Sequence, residues 1–255
     1  MTATRIETRF GSFEPAYSAY RPHYPIELFQ EIVNSLTGPH ERALDLGSGT
    51  GLSALPLTRW FNQVVGAEPD QQMAAKLYGL SDKIVVREKS AEKLEEAPGS
   101  FDLVTCGNAF YWMNGEVVIN KIIDWLRSKG VLAVYRYGFP VTPAPIQKIL
   151  LTELKLYWEE YRHPRLIDEE FSRRMINSCR ALTDVRIVTV PNMVSLNAKQ
   201  LVGFLGSTSY CAAYAQTLPS AESYLADLEH RIRSASGDAP INVDFKLELI
   251  LVRKP

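Results

Sequence analysis

The sequence predicts an α/β fold, a doubly wound and mainly parallel sheet of seven strands. Between residues 43 and 138, short apolar runs alternate with segments of helical period, at the spacing of βαβ units. The runs are almost continuously apolar, as in strands covered on both faces. A third observation is local. In "ALDLGSGTGLSALPL" (Ala43–Leu57), Gly47, Gly49 and Gly51 stand at every second position between an apolar strand and an apolar run that can form a helix.

The elements follow in chain order. "FEPAYSAYRPHYP" (13–25) is aromatic and proline-containing, with no helix or strand period, and a helix is expected over 26–36. "ALDLG" (43–47) is the first strand, and a helix runs over 52–61 despite Pro56. The second strand is "VVGAE" (64–68), with a helix over 71–78. "KIVVRE" (83–88) is the third strand and "FDLVTCG" (101–107) the fourth. The segment 115–127 has apolar residues at 118, 119, 122, 123 and 126, a helical period. "GVLAVYRYG" (130–138) is the fifth strand. "GFPVTPAP" (138–145) then breaks the pattern. Helices are expected over 146–162, 168–180, 197–206 and 220–234, a strand over 184–191, and a closing alternating strand over 242–254. Three regions result: an N-terminal lid and helix over 1–42, a ligand-binding core over 43–138, and a C-terminal half with helical insertions over 139–255.

The bulk numbers narrow the function. The 255 residues are 46% hydrophobic and 22% charged, an ordinary globular balance. A net charge of -1 provides no field to draw nucleic acid or a membrane surface, so neither is expected as a partner. Cys106, Cys179 and Cys211 are widely spaced and form no C-x-x-C pair, which suits reduced thiols and a cytoplasmic location. No run approaches the ~20 apolar residues of a membrane span, and "MTATRIETRF" lacks the apolar core of a secretory signal. The four histidines have no ligand spacing, so no metal is expected.

The glycines raise the question of ligand. A triphosphate loop needs a lysine after its last glycine, and none follows Gly51. A dinucleotide fingerprint needs a third glycine where Leu52 stands, which weakens a pyrophosphate reading. Asp45 lies inside the first strand and Glu68 ends the second. An ionised carboxylate only accepts hydrogen bonds. Glu68 therefore suits a pair of ribose hydroxyls, and Asp45 suits a cationic group better than a phosphate. Together they favour a nucleoside that carries an amino acid.

"LDLGSGTG", "GAEPD", "SAEKL", "FDLVTCGNAFYWMN" and "LRSKGVLAVYRYG" occur in that order. The set resembles the class I S-adenosylmethionine-dependent methyltransferases, and more narrowly the small-molecule branch that contains trans-aconitate methyltransferase. The resemblance implies a Rossmann-like sheet with an antiparallel last strand and a helical cap over the acceptor. It implies S-adenosyl-L-methionine as cofactor, held by Gly47, Ser48, Gly49 and Gly51 with Asp45. Glu68 would take the ribose hydroxyls and Pro69 turn the chain. Met73 would lie on the adenine, with Ser90, Ala91 and Glu92 at its edge. Asn108, Ala109 and Phe110 would border the sulfonium end. Tyr20 and Arg21 would reach the cofactor carboxylate from a mobile lid, residues 1–25.

On the acceptor side stand Tyr17, Tyr24, Tyr111, Trp112 and Arg136. Relatives often have a His-Trp pair where this chain has Tyr111-Trp112, and an Asp where it has Asn114. Tyr111 is then the base candidate, if a base is used at all. The expected reaction is methyl transfer to a small molecule, with O-methylation of a small organic acid favoured. The rivals are N- or C-methylation of an aromatic, indole-like metabolite and a cyclase-like enzyme that binds the cofactor without methylating. The expected assembly is a monomer or weak homodimer.

Overall fold

A computed structural model describes residues 14–255. Its strands are β1 (Arg42–Leu46), β2 (Gln63–Ala67), β3 (Ile84–Arg87), β4 (Phe101–Gly107), β5 (Leu126–Tyr137), β6 (Thr183–Val190), β7 (Met193–Leu196), β8 (Ile241–Asp244) and β9 (Leu247–Arg253). The helices are α1 (Glu14–Tyr20), α2 (Ile26–Asn34), α3 (Ala54–Leu57), α4 (Gln71–Ala74), α5 (Gly115–Trp125), α6 (Ala144–Glu153), α7 (Pro164–Ile167), α8 (Phe171–Asn177), α9 (Ala198–Gly206), α10 (Ser209–Ala215) and α11 (Ala221–Ser236).

Seven strands form one sheet in the order β3-β2-β1-β4-β5-β9-β6. β1 to β5 pair in parallel, and β9 runs antiparallel to both β5 and β6. This is the Rossmann-like fold expected. The order reverses at β1, which has β2 on one side and β4 on the other. In an open α/β sheet a ligand binds at such a switch point, beyond the carboxyl ends of the strands.

The chain divides into two compact units. The sheet unit comprises residues 23–141, 164–194 and 244–255. Its central strands are apolar on both faces because both are covered, whereas the edge strand β6 is largely exposed. Leu44, Leu46, Val104, Cys106, Leu132 and Val134 belong to one buried cluster. Ala43, Leu103, Val131, Ala133 and Tyr135 belong to the other. The helical unit comprises 1–22, 142–163 and 195–243, of which 14–22 are described in the first stretch. Here Asn197 and Gln200 form a capping box that starts α9, and Gly237, at φ 61°, ends α11. Among the described residues, no helix is long and apolar enough to cross a membrane.

Several elements differ from the sequence reading. Residues 14–20 are helical, although the proline-aromatic stretch shows no period. The remainder of the expected lid, residues 1–13, lies outside the described residues. The helix expected over 52–61 contracts to α3. Pro56 has no N–H for Leu52, and the N–H groups of Thr58, Arg59 and Trp60 reach only three residues back. The helix expected over 71–78 is regular only to Ala74. Asp70 caps its start, and Gly79, at φ 80°, turns the chain away. The helix expected over 146–162 passes from α6 into a π turn over Leu154–Trp158 and a 3₁₀ turn over Glu159–Tyr161. The closing strand is two strands. Lys246 N–H donates to Asp244 Oδ1 at 2.8 Å and Phe245 N–H to the Asn192 carbonyl at 2.9 Å. That turn frees β8 to pair with β7.

Asp102, buried at the start of β4, ties three segments of the sheet unit. Its Oδ2 accepts from Glu41 N–H at 2.9 Å and Arg42 N–H at 3.0 Å, and Oδ1 faces Arg127 Nε at 2.9 Å. Asp102→Ala leaves two backbone donors without their acceptor. It should lower the unfolding free energy by about 2–4 kcal/mol. Urea unfolding checks this, and a change under about 0.5 kcal/mol would overturn the role given to Asp102.

Candidate functional site

The site starts from a row of three residues across the sheet. Asp45 in β1 stands in register with Gly66 in β2 and Thr105 in β4. Asp45 is buried. A buried carboxylate needs hydrogen-bond donors. Thr105 Oγ1 donates to Asp45 Oδ1 at 2.7 Å, and Ser48 Oγ donates to Oδ2 at 2.5 Å. Gly66 leaves room for this, because a Cβ there would meet Ser48 Oγ at 3.0 Å. Burial pushes the Asp45 carboxyl up to about 6, against the lowering effect of the two hydroxyls. It is a site that gains from a cation.

The glycine loop folds back over the end of β2. Gly47 and Ser48 N–H both donate to the Ala67 carbonyl, at 2.9 and 3.1 Å. Gly47 adopts φ 67°, and a Cβ there would lie 2.5 Å from the Ala109 Cβ. Only glycine allows this left-handed turn while the loop after β4 comes so close.

Glu68 follows β2 directly and is buried. Its Oε2 accepts from Gly49 N–H at 2.9 Å and its Oε1 from Asp70 N–H at 2.9 Å. Burial raises its pKa above the ordinary value, opposed by these two bonds. A carboxylate has about four lone-pair positions, so each oxygen keeps capacity for a further donor. Pro69 is exposed and Asp70 caps α4, donors included Met73 N–H at 3.2 Å; the Met73 side chain is buried.

Next to these, the Ser90 carbonyl accepts from Lys93 and Leu94 N–H, making a turn in which Ala91 is buried. Glu92 Oε1 accepts from Asn114 N–H at 2.8 Å. Burial pushes the Glu92 carboxyl up, but the Asn114 bond and its other partners outweigh it and hold the pKa below normal. Glu92 therefore links the 90s turn to the loop after β4.

That loop opens with Asn108, a non-glycine residue at φ 51°. Ala109 and Phe110 are buried, and the Phe110 ring lies 6.1 Å from Phe171. Tyr111 and Trp112 complete a 3₁₀ turn, half-buried with ring centroids 5.2 Å apart. Arg165 Nη1 donates to the Met113 carbonyl at 2.6 Å and its guanidinium lies over Phe171, 5.0 Å from the centroid. Arg136, half-buried at the end of β5, has Nη1 3.5 Å from the Leu166 carbonyl.

The sheet unit thus gathers Asp45, the glycines, Ser48, Glu68, Pro69, Met73, residues 90–92 and 108–112, and Arg136 near the carboxyl ends of β1 to β5. Tyr24 belongs to the same unit and packs on Tyr135. Tyr17, Tyr20 and Arg21 belong to the helical unit. There Arg21 Nη2 donates to the Ser207 carbonyl at 2.7 Å and lies over the Tyr17 and Phe204 rings, and Tyr20 packs against Gly203. Sequence reasoning missed Thr105. Thr105 matters only through its register with Asp45, which spacing along the chain does not reveal.

These donor and acceptor sets fit the expected cofactor. Glu68 retains acceptor capacity for two hydroxyls, Asp45 offers a buried negative charge, and the glycine turn leaves bare backbone beside both. Among the described residues, no group of three or more His, Cys, Asp or Glu could hold a metal ion.

Residues 44–134 match a family model described as a methyltransferase domain. A Dictyostelium discoideum protein named as a methyltransferase is 27% identical over 99% of this chain and 97% of its own length. A Saccharomyces cerevisiae protein, named as an S-adenosylmethionine-dependent methyltransferase, is 29% identical over 51% of this chain and 47% of its own, so the chain spans about half of that relative. A solved structure from Anaeromyxobacter dehalogenans, described as a candidate type II methyltransferase, aligns with a TM-score of 0.76 over 92% of this chain and 98% of its own, at 20% identity. At that identity the likeness speaks for the fold.

Asp45 makes the stability of the ligand-free chain depend on pH. Its folded pKa, about 6, lies above the ordinary aspartate value of 3.8. Between these values the folded state holds a proton that the unfolded state has lost. Stability from this group is therefore full below about pH 4 and falls as pH rises to about 6, by roughly 3 kcal/mol in all. Asp45→Asn should remove that slope. The check is urea unfolding of both proteins from pH 4 to 7; parallel profiles would overturn the assignment.

Proposed function

We propose that this chain, an S-adenosylmethionine-dependent methyltransferase by its likeness to that domain and to its relatives, methylates a small-molecule acceptor, favouring a carboxylate oxygen of a small organic acid. The observation that carries the acceptor class is Arg136. Arg136 stands at the carboxyl end of β5, one residue past Tyr135, which pairs with Gly107 at the end of β4, and its guanidinium lies 3.5 Å from the Leu166 carbonyl. A guanidinium pairs with a carboxylate through two parallel hydrogen bonds. The loop 108–114 also contains no histidine, aspartate or glutamate to act as base, and an acid ionised at neutral pH needs none.

The residues divide by role. Glu68 accepts from the ribose hydroxyls, and Asp45 with the backbone of Gly47 to Gly51 holds the amino-acid end. Met73 packs on the adenine, with the Ala91 N–H at its edge. Asn108 to Phe110 border the reacting centre. When bound, S-adenosylmethionine supplies a methyl group on a sulfonium that is displaced in line. The chain's own contribution is alignment and shielding. Arg136 orients the acceptor carboxylate, and Tyr111 and Trp112 wall the site against water.

The ribose assignment is tested with S-adenosylhomocysteine and its analogue lacking the ribose hydroxyls. The wild-type chain should lose about 1–3 kcal/mol of affinity for the analogue, the range for hydrogen bonds to a charged group. Glu68→Ala should bind both ligands weakly and equally by calorimetry. Retained discrimination in the variant would overturn the role of Glu68.

The acceptor is tested with a panel of acids, phenols, amines and indoles and methyl-labelled cofactor, read by mass shift. The variant to compare is Tyr111→Phe. With an acid acceptor it should keep turnover within about tenfold. A loss of 10²–10⁴ with cofactor affinity intact is the yield of general-base catalysis, and it would favour N- or C-methylation of an aromatic acceptor instead.

A further inference from the structure

Tyr24 joins the chain that enters α2 to the loop that leaves β4. Its ring meets Tyr135 edge-on, with centroids 5.1 Å apart at 88°, and Phe29 at 6.4 Å and 73°. Its hydroxyl accepts a 2.8 Å hydrogen bond from Asn108 Nδ2. The other end of the same amide, Asn108 Oδ1, accepts from Tyr137 N–H at 3.3 Å. Asn108 N–H donates to the Tyr135 carbonyl at 2.8 Å. Both ends of the Asn108 side chain are engaged while its backbone sits at φ 51°.

That backbone conformation is uncommon for a residue with a Cβ, although asparagine tolerates it better than most. A side chain fixed at both ends restricts the alternatives. We propose that Tyr24 is a positioning residue, whose hydroxyl locks the Asn108 amide and so holds the turn after β4 in its ligand-binding conformation before any ligand arrives. The inference rests on the reading above that Asn108 borders the cofactor. It assigns Tyr24 to the cofactor loop, whereas the sequence suggests an acceptor contact. The benefit is preorganisation: a loop already ordered does not lose that freedom on binding.

Tyr24→Phe keeps both ring contacts and removes only the acceptor oxygen. Calorimetric titration with S-adenosylhomocysteine should show affinity reduced about three- to tenfold, the effect of one neutral hydrogen bond, with the thermal midpoint little changed. The same substitution in an Asn108→Gly background should change affinity less than twofold. Glycine adopts the left-handed turn freely and has no amide for Tyr24 to hold. Should Asn108→Gly not fold, Asn108→Ala serves, since it also lacks the amide. A wild-type chain that does not bind the ligand overturns the functional reading and this inference with it. A wild-type chain that binds, with Tyr24→Phe unchanged, overturns this inference alone. So does an equal loss in both backgrounds, which would mean that Tyr24 acts on the ligand without Asn108.

Discussion

The site depends on one buried carboxylate. Asp45 lies in β1, where the strand order reverses, with a strand hydrogen-bonded on either side. A charge so placed is unfavourable unless hydrogen bonds surround it. Thr105 supplies one from the neighbouring strand and Ser48 another from the glycine loop. The same bonds that satisfy the acid therefore fasten the loop to the sheet. Burial keeps the carboxyl at about 6, so a cationic ligand group would relieve a cost that the two hydroxyls only partly offset.

Around that acid the loops support one another by close contact. Gly47 yields space to Ala109, and Gly49 N–H is held by Glu68. Glu92 holds Asn114, and Arg165 holds the Met113 carbonyl. The last three are side chains satisfying a backbone group in a turn that no strand or helix ladder reaches. These links fix the loops after β1, β2, β3 and β4 in the sheet unit, where a ligand must be met by several segments together.

The helical unit has a polar centre of its own. Glu153 is buried, accepts from Tyr224 Oη at 2.5 Å and pairs with Arg231 at 2.9 Å. Tyr224 in turn accepts from Trp158 Nε1 at 2.9 Å. This network spans the end of α6, the π turn and α11. It ties the irregular segment over Leu154–Trp158 to a regular helix, and burial together with the Glu153 bond drives the Tyr224 phenol well above its ordinary pKa.

The chain by itself determined the strands of the core. Apolar runs at βαβ spacing can be buried on both faces only in such a sheet, and β4 coincides with the expected 101–107. It also determined the chemistry of the loop, because Gly47, Gly49, Gly51, Asp45 and Glu68 express a ligand class through residue type and order. The lengths of the helices were decided by local hydrogen bonding that period does not show. Pro56 leaves α3 a single turn, and an Asx turn at Asp244 cuts the last strand in two. The partners of the site were decided by tertiary structure alone. Thr105 reaches Asp45 by strand register across 60 residues, and Asn108 reaches Tyr24 across 84. No periodicity encodes such pairs, since both depend on which strands lie side by side and on how the chain turns after them.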